Sequence, residues 1–214
     1  NFCLNETSIL FISFLNLIKK RYNKIWSYYI MVKVLGIIGS PRRHGNTHIL
    51  IDNVLEGAKS AGALTESIFL NDLLIKECDG CHVCWKGLEC PKRDGMNPLY
   101  QKINDSDVLI FGTPVYWYGP TAIMKCFIDR FVYFNCPENR EKIKGKSAAV
   151  VIPFEEEDER ASLATVEIFE KSLGYLEMNL TDVLLAPGVG EKGAILEKKI
   201  ILERAYNIGR MLSR

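Results

Sequence analysis

Val32 to Ile38 is an almost unbroken aliphatic run, and it passes through Gly39-Ser40-Pro41-Arg42-Arg43-His44-Gly45 straight into a stretch of helical period. A run of this kind fills a parallel strand that is covered on both faces, and such a strand needs helices on either side of it. From Thr47 the apolar residues Ile51, Val54, Leu55 and Ala58 share one stripe, with Leu50 at its edge. The loop between strand and helix carries Gly39 and Gly45, which let backbone N–H groups crowd together. It also carries Ser40, Asn46 and Thr47 as short polar side chains, and the positive charges of Arg42 and Arg43. A helix start exposes unpaired N–H donors and a partial positive charge, so the stretch is expected to cradle a phosphate. It matches neither G-x-x-x-x-G-K-[ST] nor G-x-G-x-x-G, which disfavours a P-loop nucleotidase and a dinucleotide Rossmann site.

The same alternation continues along the chain. Strands are expected at Thr65 to Leu70, Asp107 to Phe111, Ser147 to Ile152 and Thr181 to Leu185. Helices are expected at Met96 to Ile103, Thr121 to Phe134, Arg160 to Leu176 and Ala194 to Leu212. Five strands alternating with helices predict a three-layer α/β fold, a flavodoxin-like doubly wound parallel sheet of strand order 2-1-3-4-5. In that order strands one and three lie side by side at the switch point, where Ser40 to Thr47 meets the second loop, Thr113 to Gly119. That loop holds Tyr116, Trp117 and Tyr118, three successive aromatics that cannot all point inward and so suit the wall of a flat ligand.

The first thirty residues read differently. The apolar run Ile9 to Ile18 is too short to span a bilayer, and the cluster Lys19, Lys20, Arg21 and Lys24 follows it, contrary to a signal peptide. Residues 1–30 are therefore expected to be an extension outside the fold, and 31–214 the domain. The net charge is +1, and setting those thirty residues aside leaves 23 basic and 25 acidic side chains. Such a balance carries no electrostatic footprint for nucleic acid. Neither a nucleic-acid partner nor a membrane is expected.

Four of the seven cysteines, Cys78, Cys81, Cys84 and Cys90, fall within an insertion at 76–96 that has no regular period. Clustered thiols without a secretory signal point to a metal or redox site in a reducing, cytoplasmic setting rather than to a disulfide framework. Spacings of two let one loop wrap three corners of a cubane, with the fourth ligand returning soon after, and Pro91 follows the last Cys as in ferredoxin-type runs. A 4Fe–4S cluster, a zinc site with His82 as a substitute ligand, and plain thiols all fit this spacing. Cys126 and Cys136 read as core thiols, and Asp129 with Arg130 as an ion pair or cap contact before a subunit-interface role. His44 and His48 flank the phosphate loop without a needed catalytic role.

Taken together, Gly39-Ser40-Pro41-Arg42 with Gly45-Asn46-Thr47, the stretch Gly112 to Trp117, Met124-Lys125 with Ile128-Asp129-Arg130, and Ala186 to Gly190 resemble the NADPH-dependent FMN reductase-like family. The cysteine spacing resembles that family's iron-sulfur flavoprotein branch. The resemblance implies FMN, with Ser40, Arg42, Asn46 and Thr47 on its phosphate and Pro114, Val115, Tyr116 and Trp117 near its ring. Gly45, Thr113 and Gly119 complete the expected cofactor residues, and Cys78, Cys81, Cys84 and Cys90 the metal ligands. It further implies electron transfer through FMN and the cluster, NAD(P)H as a donor, a small-molecule or ferredoxin-like acceptor, and a homodimer or homotetramer. The alternatives are an NAD(P)H-dependent FMN or quinone reductase without a cluster, a flavodoxin-like electron carrier, and a metal-binding structural protein. One departure stands out: after strand four this chain has Pro153-Phe154 and then Glu155 to Glu159, five carboxylates where the family has a small loop. Such a run reads as a solvated face.

Overall fold

The computed structural model describes Met31 to Ser213; the expected extension, residues 1–30, lies outside the described residues. Five strands, β1 (Lys33–Ile38), β2 (Leu64–Phe69), β3 (Val108–Gly112), β4 (Ser147–Pro153) and β5 (Asn179–Ala186), make one sheet in the order β2-β1-β3-β4-β5. Every pairing is parallel, as the aliphatic runs required. The central strands are buried nearly end to end, whereas edge strand β2 buries Ile68 and leaves Glu66 and Ser67 outside.

Among the described residues six α-helices accompany the sheet: α1 (Asn46–Ser60), α2 (Asn97–Asp105), α3 (Ala122–Asp129), the single turn α4 (Pro137–Arg140), α5 (Leu163–Tyr175) and α6 (Lys199–Leu212). α1 and α6 cover one face through Leu50, Ile51, Val54, Ala205 and Ile208, which pack on Val34, Ile38, Ile110 and Val151. α2, α3 and α5 cover the other through Leu99, Ile103, Met124, Phe127, Phe169 and Leu173, packed on Leu35, Ile37, Phe111 and Val150. Alternate residues of β1 thus enter opposite cores, as the period of two dictates. α1 and α6 meet through glycine. A β-carbon on Gly57 would lie 1.9 Å from the Tyr206 carbonyl oxygen, and one on Gly209 would lie 1.8 Å from that of Val54.

Three expected helices are shorter in the structure. The helix foreseen over Arg160 to Leu176 runs from Leu163 to Tyr175, after a 3-10 turn at Glu159–Ser162. The other two differ more. The helix foreseen over Thr121 to Phe134 ends at Asp129 and tightens into a 3-10 turn, Arg130–Asn135. The helix foreseen from Ala194 begins at Lys199, after a separate 3-10 turn at Ala194–Glu197. In both, apolar periodicity runs through a change of helix type that i to i+3 spacing tolerates. Among the described residues no helix is long and apolar enough to cross a membrane.

Candidate functional site

A cleft opens beyond the carboxyl ends of β1 and β3, the switch point of the sheet. Ser40, Arg42, Asn46 and Thr47 line one side, and Pro114, Val115 and Tyr116 line another. α1 begins here with Gly45 at its N-cap and no side-chain cap, so its first N–H donors are left without one. Thr47 is 2% exposed and lines the cleft one residue inside that helix start. The cleft therefore holds unspent donors beside the positive end of a helix dipole, which is the electrostatics of an anion site.

Individual roles differ from the sequence reading. The loop turns at His44, which sits in the left-handed region at φ 54°. Gly45 is needed for space, since a β-carbon there would come within 3.0 Å of the Arg42 carbonyl oxygen. His44 is held by its N–H, which donates to Nδ1 of His48 at 3.1 Å, and the two rings stack. Arg43 turns away from the cleft to pair with Asp72 and lie over the Phe69 ring. Asn46 lines the cleft, but its amide is engaged: Nδ2 donates to the carbonyls of Val189 and Glu191, and Oδ1 accepts from the Ile195 N–H. It ties α1 to the loop after β5. Arg42 reaches the same loop, donating from Nη1 to the Gly190 carbonyl at 3.1 Å.

The aromatic loop divides. Thr113 is fully buried and serves as a brace, accepting from the Thr121 N–H at 3.1 Å and donating to the Pro114 carbonyl. Tyr116 and Gly119 form a tight bridged turn whose tip is Trp117 and Tyr118, both left-handed at φ 49° and 63°. Tyr116 borders the cleft, while Trp117 stands out in solvent at 96% exposure. Gly45, Thr113, Trp117 and Gly119 are thus near the cleft in sequence but outside its lining. The remaining wall lies outside the expected cofactor residues: Pro153 at the end of β4 with Phe154 and Glu155 after it, and Val189, Gly190 and Lys192 after β5. Glu155, read as part of a solvated face, stands over Gly190, where a β-carbon would meet its chain at 2.8 Å. The Ala186 to Gly190 motif was the available signal for the last group.

Cys78, Cys81, Cys84 and Cys90 line one small cavity with Tyr100, Arg130 and Tyr133. Among the described residues no three His, Cys, Asp or Glu side chains converge closely enough to hold a metal ion. The loop turns at left-handed His82, Gly80 and Gly87, with Cys84 on the short 3-10 segment between His82 and Gly87. Burial pushes the Cys84 thiol up, and the neighbouring Cys90, Cys78 and Cys81 add to it. His82 borders the same cavity and stacks flat on Trp85, ring centroids 4.0 Å apart. The expected Asp129–Arg130 pair does not form: Asp129 pairs with Lys125, and Arg130 with Asp94 at 2.6 Å, where both side chains are buried.

Val32 to Ala186, more than half the chain, matches the family described as NADPH-dependent FMN reductase. The chain belongs to that family. An iron-sulfur flavoprotein of Archaeoglobus fulgidus is 34% identical over 123 residues, 58% of this chain and 54% of the relative. The chain therefore spans about half the length of that relative. A Bacillus subtilis protein, provisionally named an NAD(P)H-dependent FMN-containing oxidoreductase, is 26% identical over 86% of this chain and 98% of its own length. Among solved structures, the NAD(P)H:quinone oxidoreductase from Methanothermobacter marburgensis shares the fold with a TM-score of 0.64. Its identity is 20%, over 85% of this chain and 99% of that one.

Proposed function

We propose that this chain is an FMN-dependent oxidoreductase whose cofactor lies in the switch-point cleft. The observation that carries the reading is the uncapped start of α1, with Ser40 and Thr47 on the cleft beside it, facing a wall of Pro114, Val115 and Tyr116. The phosphate would take the α1 N–H groups, Ser40, Thr47 and Arg42, while Pro114 to Tyr116 would border the ring. Asn46 contributes by holding the Val189 to Ile195 loop against α1. Bound FMN supplies hydride and single-electron chemistry; the chain supplies placement, exclusion of water and N–H contacts to the ring edge. NAD(P)H is the proposed donor, and a quinone or other small molecule the acceptor.

The cysteine loop supports a finer reading as a 4Fe–4S site. Its donor set suits such a cluster, since all four thiols face one cavity that no carboxylate lines except Asp79. Ligation requires deprotonated thiols, and a loop of this kind closes as it binds. A cluster there would add one-electron traffic and make a ferredoxin-like partner suitable.

The visible spectrum of anaerobically purified protein, with flavin, iron and sulfide analysis, tests both readings. A yellow protein that releases FMN on heating, turns over NAD(P)H with a quinone and carries iron with sulfide is expected. Colourless protein would overturn the flavin reading, and flavin without iron would leave the simple reductase. Reduction only through a partner protein, with no NAD(P)H turnover, would make it an electron carrier.

A further inference from the structure

Arg130 stands where α3 gives way to its 3-10 turn and is 1% exposed. Its guanidinium contacts both arms of the cysteine segment. Nη1 donates to the Lys76 carbonyl at 2.9 Å, just before the first cysteine, and to Oδ2 of Asp94 at 2.6 Å, just after the last. Nη2 donates to Sγ of Cys90 at 3.3 Å. Asp94 closes the frame by accepting from the backbone N–H groups of Lys76 at 2.9 Å and Met96 at 3.0 Å. A planar fork reaches a carbonyl, a carboxylate and a sulfur at once, which an ammonium on a flexible stem cannot do. Pairing with Asp94 accounts for burying the charge, but it leaves the N–H on Cys90 unexplained.

We infer that Arg130 is the positioning residue of the cysteine site: it fixes the Cys90 sulfur in place and, through its N–H···S hydrogen bond, raises the reduction potential of the centre those thiols hold. This rests on the cluster reading above. Reduction adds an electron to a thiolate-held centre, and a buried cation donating to one of its sulfurs stabilises the more negative, reduced form. Low local polarity strengthens that effect, because little water competes.

The test compares anaerobically isolated wild type, R130K and the double variant R130M/D94N for iron, sulfide and FMN content. The midpoint potential of each is taken by mediated titration with paramagnetic resonance detection. The double variant removes both charges together, so neither is left buried alone, and the amide introduced by D94N keeps an acceptor for the backbone. FMN content should match in all three. R130M/D94N should shift the reduction equilibrium at least tenfold toward the oxidised form, about 59 mV for a one-electron couple. R130K, which keeps the charge but not the fork, should recover only part of that. Iron lost from R130M/D94N and partly retained in R130K also supports the positioning role. A full cluster at wild-type potential in R130M/D94N overturns the inference, as does a potential in R130K no nearer to wild type than that of R130M/D94N. Wild type without iron ends the cluster reading itself, and this inference with it.

Discussion

At the scale of single residues, the cleft depends on donors that the protein itself does not use. Replacing Ser40 and Thr47 by Ala together should weaken FMN binding by about 2–4 kcal/mol, since each hydroxyl would bond a charged group. Quenching of flavin fluorescence on titrating apoprotein measures it, and unchanged affinity would count against the site. The Asp94 and Arg130 pair carries a stability prediction. Burial pushes the Asp94 carboxyl up, but the Arg130 guanidinium and the Lys76 and Met96 N–H groups outweigh it, and the group stays below the ordinary carboxylate range. Its contribution is therefore fully present above the unfolded value, about pH 4, and is lost as pH falls through the lower folded value. D94N should cost about 3–5 kcal/mol at pH 7 because Arg130 is left buried and unpaired. The gap between wild type and variant in urea melts should narrow below about pH 4. A gap independent of pH would show that packing, not charge, is at stake.

At the scale of elements, two features are set by close backbone geometry. The approach of α1 to α6 is possible because Gly57 and Gly209 leave the opposing carbonyls room. Gly209→Ala should cost about 1–3 kcal/mol or more by forcing the helices apart. Because α1 also forms the cradle, FMN affinity should fall alongside; denaturant melts and flavin titration together check this. The turn at Trp117 and Tyr118 stores strain, since two non-glycine residues hold left-handed backbone where Asn-Gly is preferred. W117N/Y118G should raise apoprotein stability by about 1 kcal/mol or more in thermal melts, because Trp117 packs on almost nothing. A fall in stability would mean the exposed aromatics are anchored in a way these contacts do not explain.

At the scale of the whole molecule, α3 connects the two sites. Its N-cap Thr121 donates to the Gly39 carbonyl at the cleft, and its far end delivers Arg130 to the cysteine loop. Eight residues of helix put about 12 Å between those ends. The cleft and the cysteine cavity nevertheless share no lining residue, so they should fail independently. Cys84→Ala should abolish or destabilise iron binding while FMN content stays at the wild-type level, read by iron, sulfide and flavin analysis of one anaerobic preparation. Loss of flavin with the iron would show the sites to be one folding unit.

Strand order, the two covered faces and the place of the cleft were legible in the sequence, because periodicity and βαβ handedness are local consequences of residue type. The loops that carry Ser40, Arg42 and Thr47 and Pro114 to Tyr116 were placed together by the same means, since the loops after β1 and β3 must meet at the switch point, and these residues line the cleft; the family resemblance singled out Pro114 and Val115. Other roles depend on partners far along the chain, which spacing does not encode. Arg43 turns to Asp72, Asn46 spends its amide on residues 189–195, and Glu155 folds over Gly190. Arg130 was expected beside its neighbour Asp129, because adjacent opposite charges are the simplest pair to read. The helix turns those two side chains about 100° apart and sends Arg130 to Asp94 and Cys90, across 36 and 40 residues of sequence. The sequence by itself determined which segments are buried and where a ligand can enter; the tertiary structure decided which polar groups remain free to meet it, because a hydrogen bond is claimed by whichever partner the fold brings within reach.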